Sequence, residues 1–466
     1  MGHLQVTYFA LFMVPDINAE ADYNEWEREG AEGWNYNDLR PSVNSIRGYK
    51  KHFTIEEIDT FLNPKDSVQP LPIRIYDRTN TEPLVHGKLE DRIPVDLNTP
   101  RGTMGTATWA ACIDNDGCRS SAATAYLTDD VLARPNLFVA VNCCVERILF
   151  ENENSTPRAV GVELRTARNG PLFRVLASRE VILSAGAYGT PHLLMVSGIG
   201  PEKELVEKKI TVIKHLPAVG KNLVDHPTCG FVAYRTKGVP TYDYLNNPLN
   251  ALFALAQWYM TGKGPMATLV APGGAFVRSV PMIVLDETVH KPPSGMQGIT
   301  LGVACLRPKS SGEITLKTDN IWDKPTVDPK WFSDEHDMHV LARGVRLLLK
   351  IARTKPLVDF VDYREDKRYP FLWPGTQDPV ELTEEQLHDF IRTNSRLAWH
   401  PACTARMGKS EGSSVVNAKL KVHGIQSLRI IDVSIFPKQI SGHPCAPIIA
   451  IAEKAADMIK EAYSVQ

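Results

Sequence analysis

The clearest pattern of apolar and polar positions lies at residues 181–201. It opens with the apolar run Val181–Leu183, which is typical of a short buried strand. Four small residues follow at Ser184–Ala187, and Thr190–Pro191 then predicts the start of a short apolar helix over His192–Val196, because proline is tolerated at the first helical position. This sequence of a strand, a tight turn and a helix N-terminus has two interpretations. It is either an ordinary connection between a strand and a helix, or a place where the backbone approaches a phosphate or ribose group.

The stretch before this pattern predicts a β-meander. Apolar residues alternate over Val145–Phe150, and two more strand-like runs lie at Val160–Leu164 and Arg174–Ile182. Because these runs follow one another closely, we expect three sequential strands that lead the chain back to Val181.

Helical and strand patterns are also clear elsewhere in the chain. Residues 22–41 predict two helices joined by an aromatic turn. The aromatic, apolar stretch Tyr242–Thr261 predicts a helix that ends at Gly262–Pro265. Near the C-terminus, Leu428–Ser434 predicts a buried strand that ends in an aspartate, and Ile448–Lys460 predicts a helix.

Composition narrows the class of protein. The chain has 466 residues, which is enough for two or three domains. Its hydrophobic content of 43%, charged content of 23% and net charge of −2 give no reason to expect a nucleic acid or an anionic membrane as a partner. No apolar run reaches the roughly 18 residues that predict a membrane span. The eight cysteines form no C-x-x-C pair and no zinc-like spacing, so we expect free thiols and no metal site.

The N-terminal stretch Met1–Val14 is a poor signal peptide, because it has no basic leader and no clear cleavage site. A single glycosylation sequon at Asn154 is weak evidence for secretion. We therefore expect a cytoplasmic protein, with secretion as the alternative if the natural N-terminus lies upstream of Met1.

Two histidines in the last part of the chain are candidates for acid–base chemistry. Pro401 follows His400 and disfavours a helical conformation at that histidine, and His443 lies just before the predicted helix Ile448–Lys460. A histidine titrates near neutral pH and can accept the proton of a hydroxyl group. A lone histidine is more often structural, and only a fold that returns the chain can bring these two together.

Several strings resemble the glucose–methanol–choline (GMC) family of flavin oxidoreductases. These strings are Asp22–Trp26, Gly33–Pro41, Gly117–Leu127, Gly186–Pro201, Val219–Pro227, Leu306–Leu316, His400–Gly408 and Leu428–Ser434. The resemblance extends from Asp22 to Ile459, and the string Gly186–Pro201 is too long for a chance match.

The resemblance implies an α/β (α+β) fold with an FAD-binding domain built from discontinuous segments. Residues 1–230 would form this domain, with part of a substrate cap at 20–95. Residues 231–400 would form a substrate-binding domain with an antiparallel sheet and helices, and residues 401–466 would return to the FAD domain. The resemblance also implies FAD as cofactor, a small-molecule alcohol as substrate, and oxygen or a quinone as electron acceptor.

The resemblance further implies roles for single residues. His400 would be the base that takes the hydroxyl proton while hydride moves to flavin N5, and His443 would be its partner. The implied cofactor-binding residues are Val145, Ser184, Ala185, Gly186, Asp432, Pro444 and Ala446. Val145 would lie near the adenine and Asp432 near the phosphate or ribityl portion, although a simple strand-end cap is the alternative for Asp432.

The C-terminal helix carries one more expectation. Backbone amides at Ala446 and at a helix start near Ile448 would favour negative charge on the reduced flavin, because the N-terminal end of a helix carries partial positive charge.

Two features depart from the family pattern. No G-x-G-x-x-G follows a strand anywhere in the sequence, so either this segment is missing from the chain or a short protein holds flavin differently. Cys403 stands where the family has glycine, and a residue with a Cβ tolerates positive φ poorly. Both features favour a non-catalytic remnant that acts as a binding protein, whereas the retention of His400, His443 and Asp432 favours an oxidoreductase.

A third alternative is a hydroxynitrile-lyase-like enzyme on the same fold. The apolar stretches Tyr242–Thr261 and Phe371–Pro374 would line or cover a substrate pocket. Their character favours aryl or aliphatic alcohols slightly over sugars.

Overall fold

The computed structural model describes most of the chain. The described residues are 18–47, 74–75, 105–108, 110–111, 117–118, 121–153, 155–237, 241–267, 273–277, 280–286, 298–355, 357–363 and 381–463. The helices are α1 (Asn18–Arg28), α2 (Tyr36–Arg47), α3 (Ala122–Tyr126), α4 (Asp129–Leu132), α5 (Gly186–Val196), α6 (Glu202–Glu207), α7 (Pro248–Thr261), α8 (Glu335–Ala352), α9 (Leu357–Phe360), α10 (Glu384–Asn394) and α11 (Cys445–Tyr463).

The strands of the described residues are mostly short. They are β1 (Arg74–Ile75), β2 (Gly105–Thr108), β3 (Ala110–Ala111), β4 (Cys144–Glu153), β5 (Thr156–Arg165), β6 (Phe173–Leu176), β7 (Val181–Leu183), β8 (Ile199–Gly200), β9 (Lys214–His215), β10 (Lys221–Leu223), β11 (Pro227–Arg235), β12 (Gly273–Val277), β13 (Val280–Asp286), β14 (Gly298–Ala304), β15 (Gly312–Thr315), β16 (Thr326–Asp328), β17 (Ser395–Leu397) and β18 (Leu428–Ile430).

The predicted meander and the predicted buried strands meet in one hydrophobic core. Strands β4, β5 and β6 pair in sequence order as an antiparallel sheet, as the alternating pattern predicts. The prediction of one strand over Arg174–Ile182 is wrong, because this run divides into β6 and β7, which belong to different sheets. Strands β7 and β18 pair in parallel, with Leu183 opposite Ile430. Helix α5 follows β7 directly, and its residues Leu194 and Met195 are fully buried in this core. The parallel pair therefore brings the middle and the last thirds of the chain side by side.

A six-stranded antiparallel sheet forms a second core. Its strand order is β17-β11-β14-β13-β12-β2. Helices α8 and α10 pack on it, and the buried leucines Leu341, Leu348 and Leu387 are part of this core. The sheet includes β2, which precedes the other strands by well over a hundred residues.

The two N-terminal helices are predicted by the pattern at residues 22–41, and both pack on the end of the chain. Trp26 and Trp34 are fully buried. The indole nitrogen of Trp26 donates to the carbonyl of Lys438, and that of Trp34 donates to the carbonyl of Ala418, each at 2.8 Å. These bonds fix α1 and α2 against the segment that leads to α11.

Helix α5 begins earlier than the sequence predicts. The prediction that it starts at Thr190–Pro191 is wrong, because the first helical residue is Gly186 and Pro191 lies inside the helix. Proline lacks the N–H that would bond the carbonyl four residues back, at Ala187. The hydroxyl of Thr404 donates to that carbonyl at 2.6 Å and replaces the missing bond. A side chain far away in sequence thus makes an internal proline acceptable.

The helices α7 and α11 also differ from their predicted starts. The region Tyr242–Asn246 forms a 3-10 turn, and α7 begins at Pro248 after the Asn247 cap. Its predicted end is confirmed, since Gly262 terminates it with φ of 63°. Helix α11 begins at Cys445, three residues before the predicted start at Ile448.

Some expectations fall outside the described residues. These are the ones on Met1–Val14, on Asn154 and on Phe371–Pro374, and most of those on the cap at 20–95. In the described part of the chain, no helix combines the length and the apolar character that crossing a bilayer requires. The three domain boundaries stay predictions.

Candidate active site

His400 lies in a tightly constrained bend after β17. It is not helical, as the following proline predicts. Two neighbours, Trp399 and Cys403, have φ of 62° and 73°, in the left-handed region that favours glycine. The bend is held by two backbone hydrogen bonds between Val224 and Ala402, at 2.9 and 3.2 Å. Such strained positions persist only where the surrounding structure enforces them.

Three histidines meet at this bend, and we call them the histidine cluster: His226, His400 and His443. The rings of His400 and His443 are 4.9 Å apart and nearly perpendicular, so the structure brings together the pair that the sequence singled out. His226 is also in contact with His400, with ring centroids 5.1 Å apart and the two Nδ1 atoms separated by 2.9 Å. His226 was not among the residues predicted for the site, although it lies within the string Val219–Pro227 that resembles the family.

All three rings are uncharged at neutral pH. Burial lowers the pKa of His226 from 6.5 to about 4, although the backbone carbonyls of Ile440 and Leu306 partly oppose this shift. Burial also places the pKa of His400 well below its usual value, and neighbouring His443 and His226 lower it further. The pKa of His443 is lowered by burial and then by His226. A neutral imidazole keeps one nitrogen lone pair that can accept a proton.

Asp225 holds the backbone at His400. Its Oδ1 accepts a hydrogen bond from the backbone N–H of His400 at 3.0 Å. Its Oδ2 is buried and has no hydrogen-bond partner among the described residues. Burial raises the pKa of Asp225 to about 6, and the backbone N–H groups of His400 and His226 oppose the rise. The carboxyl is thus poised to gain or lose a proton in mildly acidic solution.

The loop that carries His443 is held by helix α1. Asp22 accepts hydrogen bonds from the backbone N–H of Ser441 at 2.6 Å and from Arg307 at 2.5 Å. The hydroxyl of Ser441 donates to Asp22 at 3.2 Å and accepts from Arg307 at 2.6 Å. Burial raises the pKa of Asp22 to about 6, while Arg307 opposes the rise. This network anchors the chain two residues before His443.

A second feature lies at the start of α5, and we call Ser184–Gly186 the small-residue turn. Ser184 and Ala185 are exposed, and Ser184 donates to the carbonyl of Ile431 at 2.9 Å. Oδ2 of Asp432 accepts from the backbone N–H of Gly186 at 3.0 Å and from Thr190 at 2.5 Å. Asp432 therefore caps the helix, which is the role that the simpler interpretation of its strand-end position predicts.

The remaining predicted residues lie on the same core. Val145 is half-buried near the start of β4, and Pro444 directly precedes α11. Ala446 is buried in the first turn of α11. The expectation for the Ile448 amide is wrong, because it donates to the carbonyl of Pro444 at 3.0 Å. Among the described residues, no group of three or more His, Cys, Asp or Glu side chains is placed to hold a metal ion.

The comparison with protein families agrees with this geometry. The family model for GMC oxidoreductases matches residues 18–228 with its N-terminal part and residues 308–452 with its C-terminal part. The chain belongs to the GMC oxidoreductase family. As a GMC oxidoreductase it acts on CH–OH donors, and its cofactor is FAD.

Individual relatives match nearly the whole of this GMC oxidoreductase. A dehydrogenase named str4 from Strobilurus tenacellus is 38% identical over 95% of this chain and 78% of its own length. Mitochondrial choline dehydrogenase from Mus musculus is 33% identical over 94% of this chain and 72% of its own length. In structure, a formate oxidase from Aspergillus oryzae superposes with a TM-score of 0.84 at 24% identity, covering 98% of this chain and 83% of its own. This superposition confirms the expected fold.

The small-residue turn fits the approach of an FAD molecule. Gly186 has φ of +79°, and a Cβ built there would meet no atom within 4 Å, so the backbone is open on that side. Asp432 receives two donors on Oδ2 and the backbone N–H of Ser434 on Oδ1, which leaves acceptor capacity for a hydroxyl group. Its negative charge disfavours a phosphate beside it, so the predicted contact with FAD fits the ribityl hydroxyls better.

Two residues important for this site carry little signal of their own in the sequence. Asp225 and His226 are adjacent, and the string Val219–Pro227 was their only mark. Their importance follows from contact with His400, which lies 174 residues beyond His226. Only the fold places Asp225 and His226 beside His400.

Proposed function

We propose that this GMC oxidoreductase oxidises the CH–OH group of a small alcohol to a carbonyl, with His400 as the base and His443 as its partner. The observation that carries the proposal is a neutral His400 ring 4.9 Å from the ring of His443. Within the described part of the chain, Nδ1 of His400 is engaged with His226, and no hydrogen bond is found at Nε2. Nε2 is thus the nitrogen left for a substrate.

The proposed reaction removes one proton and one hydride from the alcohol. The hydroxyl proton of the alcohol passes to His400, the C–H bond leaves with its electron pair, and the C–O bond becomes a carbonyl. A bound FAD would supply the hydride acceptor, at flavin N5, and oxygen or a quinone would be the final electron acceptor. His443 meets His400 edge to face, so it borders the place where a hydroxyl would reach His400 and can orient that hydroxyl. General-base catalysis of this kind contributes a factor of about 10² to 10⁴ to the rate.

The proposed substrates are aryl or aliphatic alcohols. Helix α7 supports this class, because it contains no charged residue and exposes a row of large apolar side chains. These side chains are Leu249, Leu252, Phe253, Tyr259 and Met260. Their role in a substrate pocket belongs to the proposal.

The experiment is a visible absorption spectrum of the chain after incubation with excess FAD, followed by a panel of alcohols. We expect a bound-flavin spectrum that bleaches with one class of alcohols. His400→Gln should bind FAD and bleach about 10²-fold more slowly or worse. His339→Gln, which changes an exposed histidine on α8, should behave like the wild type.

Other outcomes would favour the alternatives. Cleavage of a cyanohydrin without reduction of any electron acceptor would favour a hydroxynitrile-lyase-like enzyme. Failure of the folded chain to take up flavin would favour a binding protein, and the proposal would then be wrong for this chain.

A further inference from the structure

His226 is fully buried in the histidine cluster, and both of its ring nitrogens have partners. It directly precedes β11, and none of its surface is exposed. Its Nε2 is 3.0 Å from the carbonyl oxygen of Ile440, and its Nδ1 is 2.9 Å from Nδ1 of His400. Both ring nitrogens therefore have a partner, and neither is left to meet a substrate.

The partner at Nε2 decides where the proton of His226 lies. A carbonyl oxygen can only accept a hydrogen bond, so Nε2 must carry hydrogen. The ring holds one hydrogen in total, because burial keeps it neutral and places its pKa at about 4. Nδ1 of His226 is consequently a bare acceptor.

The same reasoning passes to His400. Two nitrogens 2.9 Å apart need one hydrogen between them, and His226 cannot supply it. Nδ1 of His400 therefore carries hydrogen and donates to His226. Because the ring of His400 is also neutral, its Nε2 holds the lone pair. This is the tautomer that is less populated for free histidine in water.

We propose that His226, anchored on the Ile440 carbonyl, is a positioning residue that fixes the tautomer of His400 and so makes Nε2 the atom that takes the substrate proton. This inference rests on the proposed function for its catalytic meaning, whereas the tautomer follows from the hydrogen-bond geometry of two buried, neutral rings. After His400 accepts the proton, its Nδ1–H still donates to His226. The contact therefore serves both protonation states and keeps the ring from turning.

The main chain of His400 is also held in place by hydrogen bonds. Its N–H donates to Asp225 at 3.0 Å, and its carbonyl accepts from the side chain of Gln439 at 2.5 Å. Gln439 immediately precedes Ile440, whose carbonyl holds His226. One short segment thus fixes the main chain of His400 directly and its ring through His226.

The chain offers a near-isosteric pair of variants as a test. In His226→Asn the side-chain oxygen lies where Nδ1 lay and can accept the hydrogen of His400, whereas His226→Leu has similar size and no acceptor. We expect kcat of the FAD-loaded enzyme to fall about 10- to 100-fold in His226→Leu with KM little changed, as for other groups that orient a reacting ligand. In His226→Asn we expect a loss of less than about tenfold.

A second measurement needs neither flavin nor activity. Long-range proton–nitrogen NMR spectra of protein labelled with ¹⁵N-histidine report the tautomer of each ring, and the signals missing from His400→Gln identify His400. We expect hydrogen on Nδ1 of His400 in the wild type and in His226→Asn, and a shift toward hydrogen on Nε2 in His226→Leu.

The two measurements separate the two claims. Hydrogen on Nε2 of His400 in the wild-type spectrum overturns the tautomer assignment, even if His226→Leu does not fold. An unchanged His400 tautomer in folded His226→Leu overturns the role of His226. The expected spectra in a protein that never bleaches with alcohols would uphold the tautomer assignment and reject the proposed function instead.

Discussion

The histidine cluster and the small-residue turn contact the same hydrophobic core but differ in solvent exposure. In the cluster, His226 is fully buried and the bend around His400 is held by side chains of the protein itself. At the turn, Ser184 and Ala185 are exposed, and neighbouring Ile182 is 43% exposed. The cluster is organised by internal partners, whereas the turn offers open backbone to a partner from outside.

This difference separates two ways in which a site is prepared. An internally held base has its geometry before any ligand arrives, so disturbing it should change catalysis and pH behaviour. An open turn gains its contacts only from the ligand, so disturbing it should change affinity and little else. Variants in the two regions test this distinction.

The largest effect should come from the base itself. We expect His400→Gln to lower kcat about 10² to 10⁴-fold, because the reaction loses its proton acceptor. The affinity for FAD, measured by titrating flavin absorbance, should change less than about threefold, since His400 is held by the protein and not by the turn. A loss of FAD binding as large as the loss of kcat would contradict the separation of the two regions.

The next largest effect should be on the pH dependence of the free energy of unfolding, through His226. The pKa of His226 lies near 4 in the folded protein, below its ordinary value of 6.5. The unfolded chain therefore binds the extra proton between these values, and the free energy of unfolding falls as pH falls from about 6.5 to about 4. His226→Asn cannot take up this proton. Relative to the wild type it should become more stable by about 1.4 kcal/mol for each pH unit lowered in this window.

Denaturant unfolding of both proteins at pH 7, 6, 5 and 4 measures this difference. Asp22 and Asp225 have raised pKa values near 6 and act in the opposite direction, since their folded forms hold the proton. They are present in both proteins and largely cancel in the comparison. A difference that is independent of pH would contradict a neutral, buried His226.

A smaller effect should come from the bond that joins the two regions. Thr404→Val removes the hydroxyl that donates to Ala187 and leaves a buried carbonyl without a partner, so we expect a loss of about 1–3 kcal/mol in the free energy of unfolding. In a Pro191→Ala background the new N–H can bond Ala187, and the same change should then be worth less than about 1 kcal/mol. Equal losses in both backgrounds would show that Thr404 acts in another way.

The smallest effect should be at the turn. We expect Ser184→Ala to change the free energy of unfolding by less than about 1 kcal/mol, because the Ile431 carbonyl can bond water at this exposed place. If Ser184 contacts FAD, the dissociation constant for FAD should rise severalfold with kcat unchanged at saturation. A tenfold fall in kcat at saturating FAD would count against an open turn.

The sequence predicted those parts of the fold that depend on neighbours in the chain. Helix α7 carries its own signals, with Asn247 and Pro248 at its start and Gly262 at its end. The meander follows from alternation within each strand. The start of α5 at Gly186 could not be predicted in this way, because the cap on that amide is Asp432, 246 residues later.

In the candidate site, too, residues with a local sequence pattern could be predicted and residues that depend on distant contacts could not. His400 and His443 were found through local strings, and the structure brings their rings together. The positive φ of Cys403 was only a conditional expectation from the family glycine, and the structure gives it as 73°. The role of His226 needed a contact that no local pattern encodes. The cofactor roles of Val145, Pro444 and Ala446 and the cellular location stay predictions.

The hydrogen bonds between α1 and the loop that carries His443 determine when α1 can reach its folded position. Asp22 bonds Ser441 across 419 residues, and Trp26 bonds Lys438 across 412. Contacts of such high sequence separation form late, and α1 leaves the ribosome long before the loop that carries His443. During synthesis Tyr23 and Trp26 of α1 therefore stay exposed until the segment around Lys438 has been made. A chain cut before Lys438 should therefore leave Tyr23 and Trp26 uncovered and should lack His443, so we expect it to aggregate and to be inactive.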